Sequence, residues 1–366
     1  MKFDKLLTIP IILISIPGLV SCSIPGLKDS DTINTSTIFA MDTVMELQIA
    51  GDEELLTESE QIIRNLEKEL SVTDEESEIS QLNTEKYAPL SDDTYELLNQ
   101  ALDICQKTDG ALNISIYPLL KEWGFTTAEY QVPSDETINT LLQYIDYSQI
   151  QAVSESQTDT ESDTKANTGN HQMYAALLPG MEIDLGSVAK GYTSHKVAAY
   201  LKQNGITSGL LNLGGNVECI GSKPNGQPWN VAIKSPYPDS QSGYIGVLKV
   251  SDEAIITSGG YERYFEENGE TYWHILDPKT GKPAKSGLIS VTIIGKDSCL
   301  CDGLSTALFV KGLEGATDYW KLSDDSFDMI LITEDGDIYI TEDIVDTFSL
   351  SAEYYDLETH IIHKGY

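Results

Sequence analysis

Residues 182–205 read EIDLGSVAKGYTSHKVAAYLKQNG and combine a carboxylate, a small polar turn and a lysine with a helical pattern. The first four residues are predicted to end a strand, and an amphipathic helix is predicted from Val188 onward. The Gly186-Ser187 turn then opens this helix, where unpaired backbone N–H groups favour anions. Lys190 opposes the helix dipole unless an anion lies nearby, so it is a candidate phosphate ligand; a lysine on a solvated surface is the alternative.

A second stretch, SCLCDGLSTALFVKG at 298–312, indicates a cation site. Asp302 stands at the head of a predicted apolar helix, and Ser305 and Thr306 follow on the same face. A carboxylate and hydroxyls with this spacing can ligate a hard cation such as Mg²⁺. The alternative is that Asp302 caps the helix by accepting a backbone hydrogen bond.

Two further stretches contain candidate site residues. TDGALNISIYPLLKEWGF at 108–125 predicts a helix end followed by a β-branched run, where Ala111 and Leu112 could pack on a flat ring and Asn113 could hydrogen-bond its edge. A plain helix–strand corner is the alternative. TYWHILDPKTGKPAKSGL at 271–288 predicts a turn preceded by a strand that carries His274. From these residues alone, His274 is interpreted as structural.

The composition limits the functions that the chain can have. Its 366 residues include 58 acidic and 23 basic side chains, for a formal charge of −35. Nucleic acid is excluded as a partner because phosphate backbones require a basic surface. Strands are predicted at 37–50 and over much of 227–345, and helices at 53–70, 92–107 and near 302–322. This mixture predicts the α+β class.

Cysteine spacing gives no sign of a zinc site. Cys299 and Cys301 are predicted to share one face of a strand, and no CxxC pair occurs. We interpret these two, together with Cys105 and Cys219, as buried apolar side chains.

The N-terminus, MKFDKLLTIPIILISIPGLVSCS, resembles a bacterial lipoprotein signal. Residues 1–21 are then a signal peptide, and Cys22 is lipid-modified and anchors the protein outside the cytoplasmic membrane. An ordinary secretory signal with an incidental cysteine is the alternative. Residues 22–36 are predicted to be a tether, 37–350 the folded domain and 351–366 a C-terminal extension. An insertion at about 154–173 is predicted to be disordered because it lacks large apolar side chains.

Taken together, these stretches resemble the ApbE family of FAD:protein FMN transferases. The matching motifs are FAMDT at 39–43, TDGALN at 108–113, DLGSVAKG at 184–191, NLGG at 212–215, TSG at 257–259, the H-x-x-D-P-x-T-G-x-P pattern from His274 to Pro283, and Asp302 with Thr306. The resemblance implies a single ApbE-like, T-fold-related α+β domain with mixed and antiparallel sheets packed by helices. It also implies Mg²⁺-dependent transfer of FMN from FAD to a threonine or serine hydroxyl of an extracytoplasmic acceptor protein, with release of AMP.

Site residues follow from the same resemblance. The FAD contacts that it implies are Met41, Ala111, Leu112, Asn113, Asp184, Lys190 and Ile275. The magnesium ligands that it implies are the Ser187 carbonyl, Asp302 and Thr306, with Ser305 close enough to join. The resemblance places His274 near the flavin phosphates as a candidate proton acceptor.

The chain departs from the family pattern at three places. Thr73 stands where an aromatic ring often stacks on the flavin, Asn113 replaces an aspartate, and Asp42 replaces a glycine. An FAD pyrophosphatase that yields FMN and AMP, and a flavin-binding lipoprotein without catalysis, are the alternative functions. Self-modification at Thr317 within EGATDYW is a further possibility, although a chance match is the simpler interpretation.

Overall fold

The computed structural model describes residues 32–156 and 171–365. The helices are α1 (Glu54–Leu70), α2 (Glu78–Glu85), α3 (Asp92–Lys107), α4 (Tyr117–Glu122), α5 (Asp135–Leu141), α6 (Gly186–Gln203) and α7 (Ser298–Leu322). Short 3₁₀ segments are Ile114–Ile116, Leu142–Tyr144, Tyr147–Gln149, Glu342–Ile344 and Ala352–Tyr354.

The strands are β1 (Ile33–Ala40), β2 (Thr43–Ala50), β3 (Tyr87–Leu90), β4 (Gln151–Ser156), β5 (His171–Ala176), β6 (Ser208–Leu213), β7 (Asn216–Gly221), β8 (Trp229–Lys234), β9 (Tyr244–Val250), β10 (Ala254–Gly259), β11 (Tyr264–Glu267), β12 (Glu270–Trp273), β13 (Leu276–Asp277), β14 (Lys282–Pro283), β15 (Leu288–Gly295), β16 (Phe327–Thr333), β17 (Ile338–Thr341), β18 (Phe348–Leu350) and β19 (Thr359–Ile362). Strands and helices are both extensive, so the predicted α+β class is confirmed.

A nine-stranded sheet with the order β1-β2-β6-β7-β10-β15-β16-β17-β19 forms the centre of the fold. Its neighbours are antiparallel except for β17 and β19, which are parallel. Two three-stranded sheets, β18-β9-β8 and β3-β5-β4, and the hairpins β11–β12 and β13–β14 complete the described strands.

The central sheet separates two cores because successive residues of a strand point to opposite faces. One face packs on α7, and its contributors include Ile256, Val291, Ile293, Leu304, Leu308 and Phe309. The opposite face packs on β8 and β9, and its contributors include Ile255, Ile294, Val231, Ile233 and Leu248. The result is three layers, with α6 and α7 packed against each other on the face that carries the candidate site.

Helix boundaries agree with the sequence where strong signals exist. The helix predicted at 92–107 is α3, whose N-cap Ser91 accepts from the Thr94 amide at 3.3 Å. It ends at Asp109 and Gly110, which have φ angles of 55° and 72°. α7 is broken at Gly312, where φ is 72° and a Cβ would lie 2.8 Å from the Ser286 carbonyl oxygen.

Two local predictions are wrong, and one alternative is excluded. Residues 182–185 form a loop rather than a strand end. The helix–strand corner that was the alternative for 108–125 is excluded because the β-branched run after Asn113 forms a 3₁₀ turn followed by α4. Cys299 and Cys301 lie in α7 rather than on a strand, so they enter different cores. All four described cysteines are buried and free, as expected. Apolar residues misled these predictions because β-branched side chains also pack well in buried helical segments.

The boundaries of the fold extend beyond the predicted domain. β1 begins at Ile33, inside the segment assigned to a tether, and β19 joins the central sheet from the segment assigned to an extension. β4 and β5 pair with each other on either side of residues 157–170. Cys22 and the centre of the predicted insertion lie outside the described residues. Within residues 32–156 and 171–365, no helix combines the length and the apolar character needed to cross a bilayer.

Candidate active site

The loop before α6 holds Asp184 at the beginning of the helix. The Asp184 amide donates to the Ile114 carbonyl at 2.9 Å, and the Gly186 amide donates to Asp184 Oδ1 at 2.7 Å. Burial raises the pKa of Asp184, whereas the Gly186 bond and the charge of Arg263 oppose that shift. This carboxylate therefore faces the entrance to α6 with one oxygen bound to the backbone.

A close crossing of α6 and α7 brings Asp302 to the start of α6. The Gly191 amide donates to Asp302 Oδ2 at 2.8 Å, although the two residues are 111 positions apart. A side chain on Gly191 would clash with the Ser298 carbonyl oxygen, and its Cβ would lie 2.7 Å from the Asp302 Cβ. Gly191, the last residue of DLGSVAKG, must therefore be glycine, because the space between the two helices leaves no room for a side chain.

Asp302 does not cap α7. The N-cap is Asp297, whose side chain accepts from the Leu300 amide at 3.0 Å, and Asp302 lies one turn further along. Asp302 is 5% exposed; burial raises its pKa, and the Lys190 ammonium and the Gly191 amide oppose this. The alternative of a capping role for Asp302 is therefore excluded, and a buried carboxylate near a lysine remains.

Lys190 is half-buried and acts electrostatically on two other candidate site residues. Its charge acts on the carboxylate of Asp302 and on the imidazole of His274. Within the described parts of the chain, its ammonium has no carboxylate within 4.0 Å. A cation that is partly desolvated and lacks a contact ion pair is suited to an anionic ligand.

His274 has one ring nitrogen fixed by the backbone. Its Nδ1 lies 3.1 Å from the Arg263 carbonyl oxygen, and the His274 amide also donates to this oxygen at 3.0 Å. A carbonyl can only accept, so Nδ1 carries the proton and Nε2 has the free lone pair. Burial and then the charge of Arg263, with a smaller effect of Lys190, lower the pKa of His274 to about 4. The imidazole is therefore neutral at neutral pH and can accept a proton.

Hydroxyl groups from two elements meet beside Asp302. Ser305 Oγ donates to the Asp302 carbonyl oxygen at 2.7 Å. Ser258, on β10, has its Oγ 2.7 Å from Ser305 Oγ and 3.2 Å from Thr306 Oγ1. Ser305 is fully buried, whereas Thr306 is partly exposed.

Oxygen donors around Asp302 fit a magnesium ion. Gly191, one turn after Ser187 in α6, donates its N–H to Asp302 Oδ2, which places the first turn of α6 next to that carboxylate. Ser187 is half-buried in the first turn of α6. No group of three His, Cys, Asp or Glu side chains suited to a metal occurs within residues 32–156 and 171–365. One carboxylate with neutral oxygens is nevertheless sufficient for Mg²⁺ that also binds substrate phosphates.

Asn216 is a further polar residue beside Asp302. It is 2% exposed at the start of β7, and its side-chain amide is close enough to Asp302 to lower the pKa of that carboxyl. Its Nδ2 has no hydrogen-bond partner among the described residues. The amide of Asn216 therefore acts on the Asp302 carboxylate without forming a hydrogen bond of regular geometry.

The expected flavin-binding residues surround the same helix start. Ala111 and Leu112 pack in one core with Leu185 and Val188. Asn113 accepts from the Ser115 amide at 3.1 Å and from its hydroxyl at 2.7 Å. Leu112 is 3% exposed, which limits the surface that its side chain offers to a ligand.

Met41 and Ile275 approach from other elements. Met41 occupies the β1–β2 turn with φ 48°, and its Sδ accepts from the Thr193 hydroxyl of α6 at 3.8 Å. Ile275 follows His274 and is 4% exposed, while its carbonyl accepts from the Ala284 amide at 2.9 Å.

Thr73, which stands where an aromatic ring often stacks on the flavin in the family, is exposed. Thr317 lies in α7 beyond the Gly312 break, away from the segment that carries Asp302 and Thr306.

Three residues of this site were missed by the sequence analysis. Arg263 acts on both Asp184 and His274, and it is one of only two arginines in the chain. Ser258 lies inside the TSG match but received no role, and Asn216 directly follows NLGG. Two signals in the sequence could have found these residues. Arginine is rare in the chain, and Ser258 and Asn216 lie inside or next to matched motifs.

Comparison with known proteins identifies the class of protein to which this chain belongs. The model described as "ApbE family" matches residues 41–331. The chain is 31% identical over 318 residues to the FAD:protein FMN transferase of Klebsiella pneumoniae, covering 86% of this chain and 93% of that relative. It is also 31% identical over 307 residues to the FAD:protein FMN transferase of Vibrio cholerae, covering 82% and 86%. The chain therefore belongs to the ApbE family.

Solved structures agree with this assignment. A crystal structure of an ApbE protein from Thermotoga maritima superposes with a TM-score of 0.72 at 28% identity, covering 85% of this chain and 98% of that chain. The apo form of the flavinyl transferase ApbE from Pseudomonas stutzeri superposes with a TM-score of 0.69 at 25% identity, covering 89% and 97%. The family, the fold class and the enzymatic character predicted from the sequence are thereby confirmed.

Proposed function

We propose that this chain is an FAD:protein FMN transferase that uses Mg²⁺ and releases AMP. The observation that supports this most directly is the Gly191–Asp302 hydrogen bond of 2.8 Å, because it joins the DLGSVAKG segment to the Asp302–Thr306 segment in one site. The charge of Arg263 acts on Asp184 and on His274, and the charge of Lys190 also acts on His274, which links these residues to the same site. The proposal names FAD and a protein hydroxyl as the two substrates.

Asp302, Thr306 and the carbonyl of Ser187 would hold the magnesium ion. The ion would neutralise the pyrophosphate of FAD and the charge that develops on the leaving group. Asp302 contributes the one negative charge, and Thr306, which is partly exposed, contributes a hydroxyl oxygen. Ser305 would support these ligands from behind, because its hydroxyl donates to the backbone carbonyl of Asp302.

Lys190 and the start of α6 would bind the pyrophosphate. The ammonium is near the metal-binding carboxylate without being neutralised by a contact ion pair among the described residues. The first backbone N–H groups of a helix also favour phosphate. Together they would orient the FMN-side phosphorus toward the incoming hydroxyl. Asp184, the Ala111–Asn113 turn, Met41 and Ile275 would contact the remainder of FAD.

His274 would act as the general base. A threonine or serine hydroxyl of the acceptor attacks the FMN-side phosphorus, a new P–O bond forms, and the P–O bond to AMP breaks. The proton of the hydroxyl passes to Nε2 of His274, the nitrogen left free by the Nδ1 bond to the Arg263 carbonyl. The products are a phosphoester-linked FMN on the acceptor and AMP.

The N-terminal segment supports an extracytoplasmic location for the enzyme. Cys22 would carry a lipid that holds the protein outside the cytoplasmic membrane. The acceptor is then an extracytoplasmic protein with a flavinylation threonine. The formal charge of −35 argues against any nucleic-acid partner.

One incubation separates the candidate functions. Purified protein, FAD, Mg²⁺ and a threonine-containing acceptor are combined, and the products are examined by intact mass and by chromatography. A mass gain of one FMN on the acceptor, with AMP in equal amount, supports the transferase. Free FMN and AMP without a modified acceptor indicate a pyrophosphatase, and FAD recovered intact indicates a binding protein. A mass gain on the enzyme itself would point to Thr317.

A further inference from the structure

Three hydroxyl groups form a hydrogen-bonded chain whose direction can be worked out. Ser305 Oγ is 2.7 Å from the carbonyl oxygen of Asp302, and a carbonyl only accepts. The single proton of Ser305 is therefore used, and Ser305 must accept from Ser258 across their 2.7 Å contact. The proton of Ser258 is then used as well. Across the 3.2 Å contact, Thr306 must donate to Ser258.

This direction determines what Thr306 can offer to a ligand. Its proton points to Ser258, so both lone pairs of Thr306 Oγ1 are free to accept or to ligate. Without Ser258, the hydroxyl could rotate and present its proton to the site instead. A hydroxyl proton directed at a cation is repelled, whereas an oxygen lone pair binds it.

The strand geometry makes Ser258 the residue that reaches α7. Ala254 and Ile256 of β10 pack on the α7 side of the central sheet, and Ser258 continues that alternation. Thr257 points to the other face, where its Oγ1 lies 2.8 Å from Thr292 Oγ1 of β15. Two adjacent hydroxyl residues on one strand therefore have the same kind of bond but face different layers.

We propose that Ser258 is a positioning residue that sets the orientation of the Thr306 hydroxyl for the bound cation, through the chain Thr306–Ser258–Ser305–Asp302 carbonyl. The chain ends on the backbone of the residue whose carboxylate would hold the same ion, so the two ligands are fixed relative to each other. Ser305 is a relay in this arrangement and not a ligand. This inference rests on the proposed function, since it assumes a cation at Asp302 and Thr306.

The test compares cation binding in Ser258→Ala, Ser258→Thr and wild type. Mn²⁺, which prefers the same oxygen ligands as Mg²⁺, is titrated into the protein with and without ADP, and the free ion is followed by its EPR signal. Loss of a group that orients a metal ligand typically costs 10–100-fold in metal affinity or activity. We expect the Mn²⁺ affinity of Ser258→Ala to fall about 10-fold or more, and Ser258→Thr, which keeps a hydroxyl, to restore most of it.

Kinetics provide a second measurement. For Ser258→Ala we expect the Mg²⁺ concentration needed for half-maximal transfer to rise about 10-fold, with kcat approaching the wild-type value at saturating Mg²⁺. The matched control is Thr257→Val, which removes a hydroxyl contact from the same strand on the opposite face. Its Mn²⁺ affinity and Mg²⁺ requirement should equal those of wild type.

The outcomes distinguish this inference from the proposed function. If wild type binds Mn²⁺, Asp302→Asn does not, and Ser258→Ala binds as wild type does, the positioning role is overturned while the metal site stands. Equal losses in Ser258→Ala and Thr257→Val also overturn it, because they indicate a general defect in β10. If wild type itself binds no Mn²⁺ and transfers FMN in the presence of a chelator, the metal assignment fails and this inference fails with it.

Discussion

The backbone amide of Gly191 and the carboxylate of Asp302 form a 2.8 Å hydrogen bond between two helices that are widely separated in sequence. Asp302 is buried beside Lys190, and its Oδ2 is held by α6. The close approach depends on the missing side chain at Gly191. One contact thus combines the packing of α6 on α7 with the assembly of the proposed phosphate and cation site.

Removing the charge of Asp302 while keeping its shape tests the cation site. Asp302→Asn can still accept from the Gly191 amide, so we expect the fold and the thermal midpoint to change little. Transfer should fall by at least about 100-fold, because a bound metal contributes several kcal/mol of charge stabilisation. Asp302→Ala should abolish transfer. Flavinylation is measured by intact mass, and normal flavinylation by either variant with chelator present would contradict the assignment.

Gly191→Ala tests the helix crossing. The added Cβ would clash with the Ser298 carbonyl oxygen and lie 2.7 Å from the Asp302 Cβ, both of which belong to α7. Overpacking of this kind costs about 1–3 kcal/mol. We expect a lower midpoint in urea unfolding together with weaker FAD binding, since Asp302 would be displaced. An unchanged midpoint with wild-type FAD affinity would show that α6 and α7 can separate without consequence for the site.

Lys190→Met tests phosphate binding, because methionine retains most of the side-chain volume without the charge. A hydrogen bond to a charged group is worth about 1.5–3 kcal/mol, so the Kd for FAD should rise by roughly 10–100-fold. The control is Lys196→Met on the same helix, where the ammonium pairs with Asp93 at 2.6 Å. Calorimetric titration of FAD should separate the two variants. Equal Kd values for wild type and Lys190→Met would remove this lysine from the phosphate site.

The pH dependence of transfer tests His274. Its pKa is lowered from 6.5 to about 4, and the base form exists above the pKa. The acid limb of kcat/KM that this residue causes should therefore have its midpoint near pH 4, with a flat profile from pH 5.5 to about 8. His274→Gln should be slow and should lack this limb. A limb centred near pH 6.5 that disappears in His274→Gln would mean that the imidazole is not desolvated.

The same shift has a consequence for stability. Between about pH 4 and pH 6.5, the unfolded chain binds more protons at His274 than the folded chain does. The contribution of this histidine to the free energy of unfolding should therefore fall as pH decreases through that window. Urea unfolding of wild type and His274→Gln at pH 4.5 and pH 7 measures this difference. On going from pH 7 to pH 4.5, wild type should lose more free energy of unfolding than His274→Gln does, because only wild type has this histidine.

Cys22→Ser tests the proposed anchor. We expect the variant to leave the membrane fraction when the protein is expressed with its own N-terminus, because the thioether to lipid cannot form. The purified soluble variant should flavinylate a soluble acceptor at the wild-type rate, since Cys22 lies outside the described domain. Retention of the variant in washed membranes would contradict lipid attachment at this residue.

Sequence reasoning succeeded where local signals and periodicity act together. The amphipathic pattern and the Ser91 cap define α3. It failed where tertiary packing decides, as in the segment after Asn113, whose β-branched residues are buried in short helical turns. The edge positions of β1 and β19 depend on pairings between distant segments, which no local pattern reveals.

For the candidate site, too, local motifs were readable from the sequence and tertiary contacts were not. Motif spacing in the sequence predicts Asp184, Lys190, Asp302 and Thr306 as site residues, and their roles stay predictions. The roles of Arg263 and Ser258 depend on a backbone carbonyl that fixes His274 and on hydroxyls contributed by two elements. Such relationships exist only in three dimensions, so residue types and spacing could not have supplied them.

Under the proposed lipid attachment at Cys22, the point at which the chain enters the fold would limit how far from a bilayer the enzyme works. β1 covers its eight residues with a rise of about 26 Å and ends at the Met41 turn. Eleven residues lead from Cys22 to Ile33, a reach of at most about 40 Å when fully extended. With a lipid on Cys22, the Met41 turn would lie within about 65 Å of the lipid surface. Acceptors that display their threonine at greater height would be out of range, however well their local sequence fits.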